Sequence, residues 1–454
     1  MGKEPVTFDH PSLEPALGET LGVVLYQEQV LQVSMALAGF TAGQAESLRR
    51  AMSRKRSKEA IAKLKEQFMD GCRGKGVSRQ AAESAFRKIE GFAEFGFPKA
   101  HAAAFGLLAY QTAWLRTYYP SEFVCSLFNA QPMGFYAPHV LVNDGKRHGV
   151  AVLPPDINRS GANCGIEEEM GNGKWEIGEA PATYAPTSSR GSVGGQDGPE
   201  SHVDSGLAVR IGMRYVRGLS ETTAGEVEEE RGRAGEFRSV FDFLERTRLK
   251  REAVENLIAC GAFDSFGLER RELLWQLGLV YRSQGRQAEQ RQLALALPTE
   301  QDMITPRPMT DWDKMRTDYL VLGLTTGRHP MSFLRSRLHE GVATSRMLEE
   351  LEDGAKLEVG GLVVCRQRPG TAKRFVFMVL EDEFGLVNVV VKPDVYEEQR
   401  RIIRGEPFIL VRGELQRRDG LVNLVAELFA SMQVGEGLAP VSHNFGHGGH
   451  GGRH

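Results

Sequence analysis

Cysteine is scarce and scattered in this chain of 454 residues. Its five cysteines, at positions 72, 125, 164, 260 and 365, form no CxxC pair. That argues against a disulfide framework and a cysteine-based zinc site, and fits a reducing cytoplasm. Long apolar runs are missing too. No stretch approaches the roughly 20 residues a membrane helix needs, and the N-terminus has neither the basic segment nor the apolar core of a secretory signal. Net charge is small, at −3, which by itself argues against nucleic acid as a partner. A pair of carboxylates suited to holding catalytic metals is also hard to find. Asp9, with Glu4 and Glu14 nearby, lies in a Pro-rich stretch without a strand pattern. Asp311 and Asp313 form a DxD just before an expected helix, where acids cap the first turn and suit the dipole.

A hydrophobic content of 41% is enough for packed cores, and the length fits about three domains. Charge, small in total, is segregated: from Arg49 to Lys99 there are 14 Lys/Arg against 6 Asp/Glu. Such an excess is the footprint of a polyanion partner, although i,i+4 pairs such as Glu59–Lys63 account for part of it.

The organising stretch is Phe95–Pro120, FGFPKAHAAAFGLLAYQTAWLRTYYP. Gly96 and Pro98 favour a turn and a helix start. His101, Phe105, Leu108, Thr112 and Leu115 then recur at three- and four-residue spacing and share one face. Lys99 and His101 fall in the first turn, where free N–H groups and the dipole favour an anion. The pattern admits two readings, a buried amphipathic helix with a solvated lysine, or a phosphate site. Helices are also expected at 21–40, in AGQAESLRRAMS behind a Thr41 cap, and in two further basic segments, so the chain reads as helical to about residue 130.

Four segments together carry a resemblance: LYQEQVLQVSMALAGF, LRRAM, FGFPKAHAAAFGLLAYQTAWLRTYYPSEF and VLPPDIN. In order and spacing they resemble the fingers domain of the bacterial C-family DNA polymerases, the polymerase III α-subunit family. The resemblance implies that Arg49, Arg50, Lys99 and His101 face the phosphates of an incoming dNTP or the DNA template–primer, and that 1–158 is the fingers region. It also implies Mg²⁺ held by palm aspartates that the family keeps upstream of LYQEQ, which here begins at Leu25. The palm and the amino-terminal phosphoesterase-like domain are therefore expected to be absent, and the chain alone inactive. A truncated gene product and one piece of a split coding region both fit.

Residues 159–206 are dense in Gly, Ser and Pro and read as a low-complexity insertion. From 207 to 297 short paired helices resemble the tandem helix–hairpin–helix region of the same family. Gly218 and Gly261 stand at the turns expected to grip DNA phosphates; an ordinary αα-hairpin fits either copy. QLALAL, Gln292 to Leu297, resembles a peptide that inserts into the sliding clamp, and also fits an apolar helix tail.

A linker with helices, 298–354, includes LGLTTGRHPM, which resembles the segment introducing the C-terminal domain of the family's error-prone branch. At 355–432 the period becomes two: three strands, a helix and two strands, the order of an OB-fold barrel. Arg366, Arg368, Lys373 and Arg374 with Phe375 or Phe377 make a candidate cation-and-stacking surface for DNA; alternation also allows those two aromatics to be barrel core. A Gly/His-rich tail, 433–454, ends the chain.

The expectation is a multidomain α+β protein: all-α fingers, tandem hairpins and an OB-fold barrel. Its implied role is translesion synthesis as part of an error-prone DNA polymerase, with the sliding clamp and a Y-family-like accessory protein as implied partners. The alternative is a non-enzymatic protein binding single-strand or primed DNA. An aminoacyl-tRNA synthetase-like module is set aside because no adenylate-forming motif is present.

Overall fold

A computed structural model describes residues 5–53, 58–92, 97–134, 136–168, 206–289, 306–369, 372, 374–418, 420–432, 434 and 443–445. The chain divides into two compact units, Met1–Trp114 and Leu115–His454. The QLALAL segment, Lys373 and most of the low-complexity insertion lie outside the described residues.

The first unit is helical: α1 (Glu14–Leu17), α2 (Gln27–Ala38), α3 (Ala42–Ser53), α4 (Lys58–Gly74), α5 (Arg79–Phe92) and the start of α6 (Lys99–Tyr118). Its core gathers Leu13, Leu17, Val33, Leu37, Leu48, Phe68, Phe86 and Ile89, with Phe68 edge-on to Phe40 and tilted against Phe86. Helix starts follow sequence cues. Gln29 is buried and its Oε1 accepts from the N–H groups of Leu25 and Tyr26, which fixes the entry to α2. Thr41 caps α3 through a reciprocal pair with Gln44. Many surface cations meet acids locally, as in Arg73–Asp70, Arg79–Glu83 and Lys88–Asp9.

α6 departs from the amphipathic expectation. None of its residues is buried, and Phe105, Leu108 and Leu115 are 58%, 55% and 42% exposed. Leu107 and Tyr110, off the expected face, are exposed as well. The spacing of the apolar residues is as read; what differs is that no packing surface meets them.

In the second unit α7 (Pro120–Asn129) and α8 (Pro138–Arg147) pack beside a three-stranded sheet of β1 (Ala151–Leu153), β2 (Gly165–Glu168) and β3 (Leu207–Arg210). Its order is β1-β3-β2, with β1 parallel and β2 antiparallel to β3. The hairpin region follows as α9 (Glu221–Ala234), α10 (Val240–Arg246), α11 (Arg251–Ala259) and α12 (Arg270–Glu289). Phe128, Val209, Phe243, Leu257, Phe263 and Leu277 join sheet and hairpins in one core.

α13 (Asp311–Leu322) and α14 (Pro330–Leu334) lead to β4 (Val342–Ala343) and the barrel. Asp313 and Thr310 form a capping box at the start of α13, so this acid closes a helix end. Among the described residues no His/Cys/Asp/Glu cluster could hold a metal, and no helix is long and apolar enough to cross a membrane.

The barrel consists of β5 (Lys356–Gln367), β6 (Val376–Glu381), β7 (Leu386–Val391), α15 (Pro393–Gly405), β8 (Phe408–Arg418) and β9 (Leu421–Ser431). Pairing runs β5-β6-β7-β9-β8 and closes through β5–β8, with only β7–β9 parallel among these five. This is the OB-fold arrangement. Within the tail, β10 (His443–Phe445) adds a parallel strand beside Cys365–Gln367.

α8 fastens the barrel. Ala137 and Val140 pack on Val364, and Asn143 and Arg147 both donate to the fully buried Glu381 carboxylate, at 3.0 and 2.8 Å. Lys146 donates to the Thr326 and Gly327 carbonyls, and burial pulls its pKa down to about 8.

Candidate nucleic-acid interface

In the first unit three of the expected nucleotide-facing cations lead to the start of α2 and the acids around it. Arg49 forms a two-point bond with Glu46 and also donates to Gln27 at 3.1 Å. Arg50, with its side chain 72% exposed, shares Glu46 at 2.8 Å. The two guanidiniums hold the Glu46 carboxyl down at about 2. Lys99 donates its backbone N–H to Glu28 and its ammonium to Glu19, and sits over the Tyr26 ring at 5.9 Å. Its hydrogen bond to Glu19 raises its pKa. His101 stacks on Phe105 with centroids 4.4 Å apart. The Lys99–Glu19 pair is solvent-exposed and contributes little, while the Arg49–Glu46 pair is partly buried.

The two expected hairpin glycines part company. Gly218 is exposed, with φ of 87°, a conformation glycine adopts without the strain of a Cβ. The hairpin is held from behind, Arg217 donating its N–H to the Val321 carbonyl and accepting on its own carbonyl from Asn256. Ser220 caps α9. Gly218 and Ser220 edge a cleft of about 650 Å³, with Arg248 and Lys250 also lining it. Glu226 and Glu229 line it too, in keeping with the acidic character of EVEEER.

Gly261, by contrast, is buried. Its N–H donates to Ile258, and an added Cβ would lie 2.2 Å from the Arg270 guanidinium. The expected phosphate-gripping role at Gly261 is therefore corrected: the residue makes room for the Arg270–Asp264 ion pair and presents no backbone to a ligand.

On the barrel Arg366 is also corrected. It is 8% exposed and its guanidinium donates to the Ile403 and Glu406 carbonyls, tying down the end of α15. Arg368 lies over the Tyr396 ring at 4.7 Å and near Glu397. Arg374 is exposed, with φ of 71°. Val376, Met378 and Leu380 take the core side of β6, so the alternation points Phe377 outward, 39% exposed, and leaves Phe375 half-buried at the strand entry. The core alternative for Phe377 is thereby overturned.

The outer face continues from Phe377 across the sheet. Phe377 pairs with Val390, and Val390 with Val425. The next row carries Asn388 on β7, Asn423 on β9 and Gln416 on β8, each in register with the last. An aromatic ring beside a row of amides is suited to stacking on bases and hydrogen-bonding their edges. Arg418 and Leu421 face each other where β8 turns into β9. The amide row was missed from sequence, yet its signal was there: β7 and β9 both begin Leu-Val-Asn, with Asn388 and Asn423 in the outward phase.

Comparisons with known proteins agree with this order of parts. Residues 1–76 match the bacterial DNA polymerase III alpha subunit finger domain, 149–273 the helix-hairpin-helix motif, and 349–429 the OB-fold nucleic acid binding domain. The chain is 38% identical over 446 residues to an error-prone DNA polymerase of Anaeromyxobacter dehalogenans, covering 98% of the chain and 36% of that protein. Error-prone DNA polymerases of Corynebacterium glutamicum and Methylococcus capsulatus are 35% and 38% identical, over 98% and 94% of the chain and 38% of each relative. The chain thus spans a little over a third of the length of these curated relatives.

Proposed function

Because the chain belongs to the error-prone branch of the bacterial polymerase III α-subunit family, we propose that it is the nucleotide- and DNA-holding part of a translesion DNA polymerase. The observation that supports this reading is that Arg49 and Lys99 both engage residues at the start of α2, with Arg50 joined to Arg49 through Glu46, beside the exposed first turn of α6. A triphosphate arriving there replaces Glu46 and Glu19 as the partner of those cations. Phosphoryl transfer rests largely on such positioning and charge neutralisation. Gly218 and the barrel's outer face then hold duplex phosphates and the single-stranded template.

Transfer also needs Mg²⁺ to activate the attacking 3′-oxygen and stabilise the leaving pyrophosphate. The described residues offer no acidic cluster for it, and on this reading its ligands come from the palm that the family keeps upstream. The chain's own residues bind and orient; they do not carry the metal chemistry.

The test is dNTP binding by the 454-residue chain, followed by calorimetry, with Arg50→Ala and Lys99→Ala. Each substitution is expected to weaken binding, and variants that bind dNTP as the wild type does would remove the nucleotide site. Primer extension by the purified chain with Mg²⁺ would overturn the assignment of the metal ligands elsewhere.

A further inference from the structure

A second cleft of about 310 Å³ lies where the barrel meets α8 and the end of α6. That volume is at the small end of ligand sites. Arg116, Arg147 and Arg346 line it with His148, and Phe384 and Leu386 supply an apolar side. Two acids, Asp144 and Glu349, also reach it. Asp144 is already engaged by Arg116 at 3.1 Å.

Arg147 has one guanidinium nitrogen on Glu381, while its Nη2 is buried, 4.0 Å from Asp144 and without a hydrogen-bond partner among the described residues. Its side chain is only 11% exposed, and a buried donor left unmet is unfavourable. Arg346 is exposed and makes no ion pair among the described residues.

The cleft is continuous with the barrel's outer face. Leu386 lines it and belongs to the outward phase of β7 with Asn388 and Val390. From Val390 to Leu386 is about 13 Å along the strand. Beyond Leu386 the face stops, because Glu381, its cross-strand partner, is covered by α8. A strand lying over Phe377 and the amide row therefore meets the wall of α8 at the cleft.

We propose that this cleft is a subsite for one nucleotide of the single strand leaving the barrel face, its phosphodiester on Arg116, Arg147 and Arg346 and its base against Phe384 and Leu386. The proposal rests on the reading of the outer face as a single-strand platform, and the test keeps the two apart.

Fluorescent oligo(dT) of about 4 and about 12 nucleotides, bracketing much of the usual reach of one OB-fold, is titrated with the full chain at several salt concentrations. Arg346→Ala and Arg116→Ala each weaken the longer oligonucleotide roughly threefold and lower its salt slope by about 0.7, and Arg346→Glu weakens it further. The shorter oligonucleotide feels these changes less. Phe377→Ala weakens both lengths. If the Arg346 variants bind the longer oligonucleotide with unchanged affinity and slope while Phe377→Ala still weakens both, the cleft is no subsite and the platform stands. Equal losses for the two lengths in Arg346→Ala also overturn the subsite. If Phe377→Ala binds both as the wild type does, the platform fails and the subsite with it.

Discussion

Replacing Glu381 by Gln tests what joins the barrel to α8. Burial alone would raise this carboxyl's pKa, yet His329, Arg147 and His139 outweigh burial and hold it at about 2, against the usual 4.5. The His329 Nε2 lies 3.7 Å from it. That depression corresponds to stability on the order of 3 kcal/mol. The folded value is the lower one, so this stability is present above pH 4.5 and is lost as pH falls towards 2. Glu381→Gln keeps the shape but removes the charge and leaves the Arg147 guanidinium buried beside a neutral amide. Wild type and variant should differ by about 3 kcal/mol at pH 7 and by roughly half of that or less at pH 3. Urea unfolding followed by circular dichroism at the two pH values measures the gap. A gap of the same size at both, or none at pH 7, would refute the reasoning.

Phe377→Ala should weaken single-strand binding by about 1–3 kcal/mol and scarcely move Tm, whereas the core change Met378→Ala should cost about 2–5 kcal/mol of stability; calorimetry and anisotropy on both variants separate stacking from packing. Gly218→Ala forces a left-handed conformation at a cost of about 1–2 kcal/mol and should reduce duplex binding, read by gel shift; unchanged binding would remove that hairpin from the interface. Thr310→Ala removes the cap of α13 and should cost about 1 kcal/mol in unfolding experiments. Asp311→Ala and Asp313→Ala should take up as much Mn²⁺ as the wild type in equilibrium dialysis, and a drop would reinstate the pair as metal ligands.

The barrel was legible because its information is local. Period-two runs and one intervening helix give the elements in order, and the structure pairs Arg418 with Leu421 where β8 meets β9. The Thr41 cap was equally readable, since it and its partner lie three residues apart, whereas at α13 the sequence reading gave the capping to the acids and the structure gives it to Thr310 with Asp313. Side-chain roles were harder. Arg366 looks like a surface cation in a run of basic residues, but its place in β5 aims it at the carbonyls ending α15, 37 residues away at Ile403. Gly261 has the turn conformation expected of a hairpin glycine, with φ of 88°, yet Arg270 closes over it. Both outcomes depend on which remote element arrives on top.

α6 carries the same lesson further. Three- and four-residue spacing states that a helix has an apolar side; it does not state where the matching surface is. Within α2 or α5 the match lies in the same unit, and Leu37 and Ile89 end up fully buried. Along α6 Phe105, Leu107, Leu108 and Tyr110 stay in water, each forgoing about 1.5–3 kcal/mol available from full burial of a large apolar side chain. The spacing thus gave the helix and its apolar side, while the exposure of that side depends on what packs against it, which no local pattern encodes.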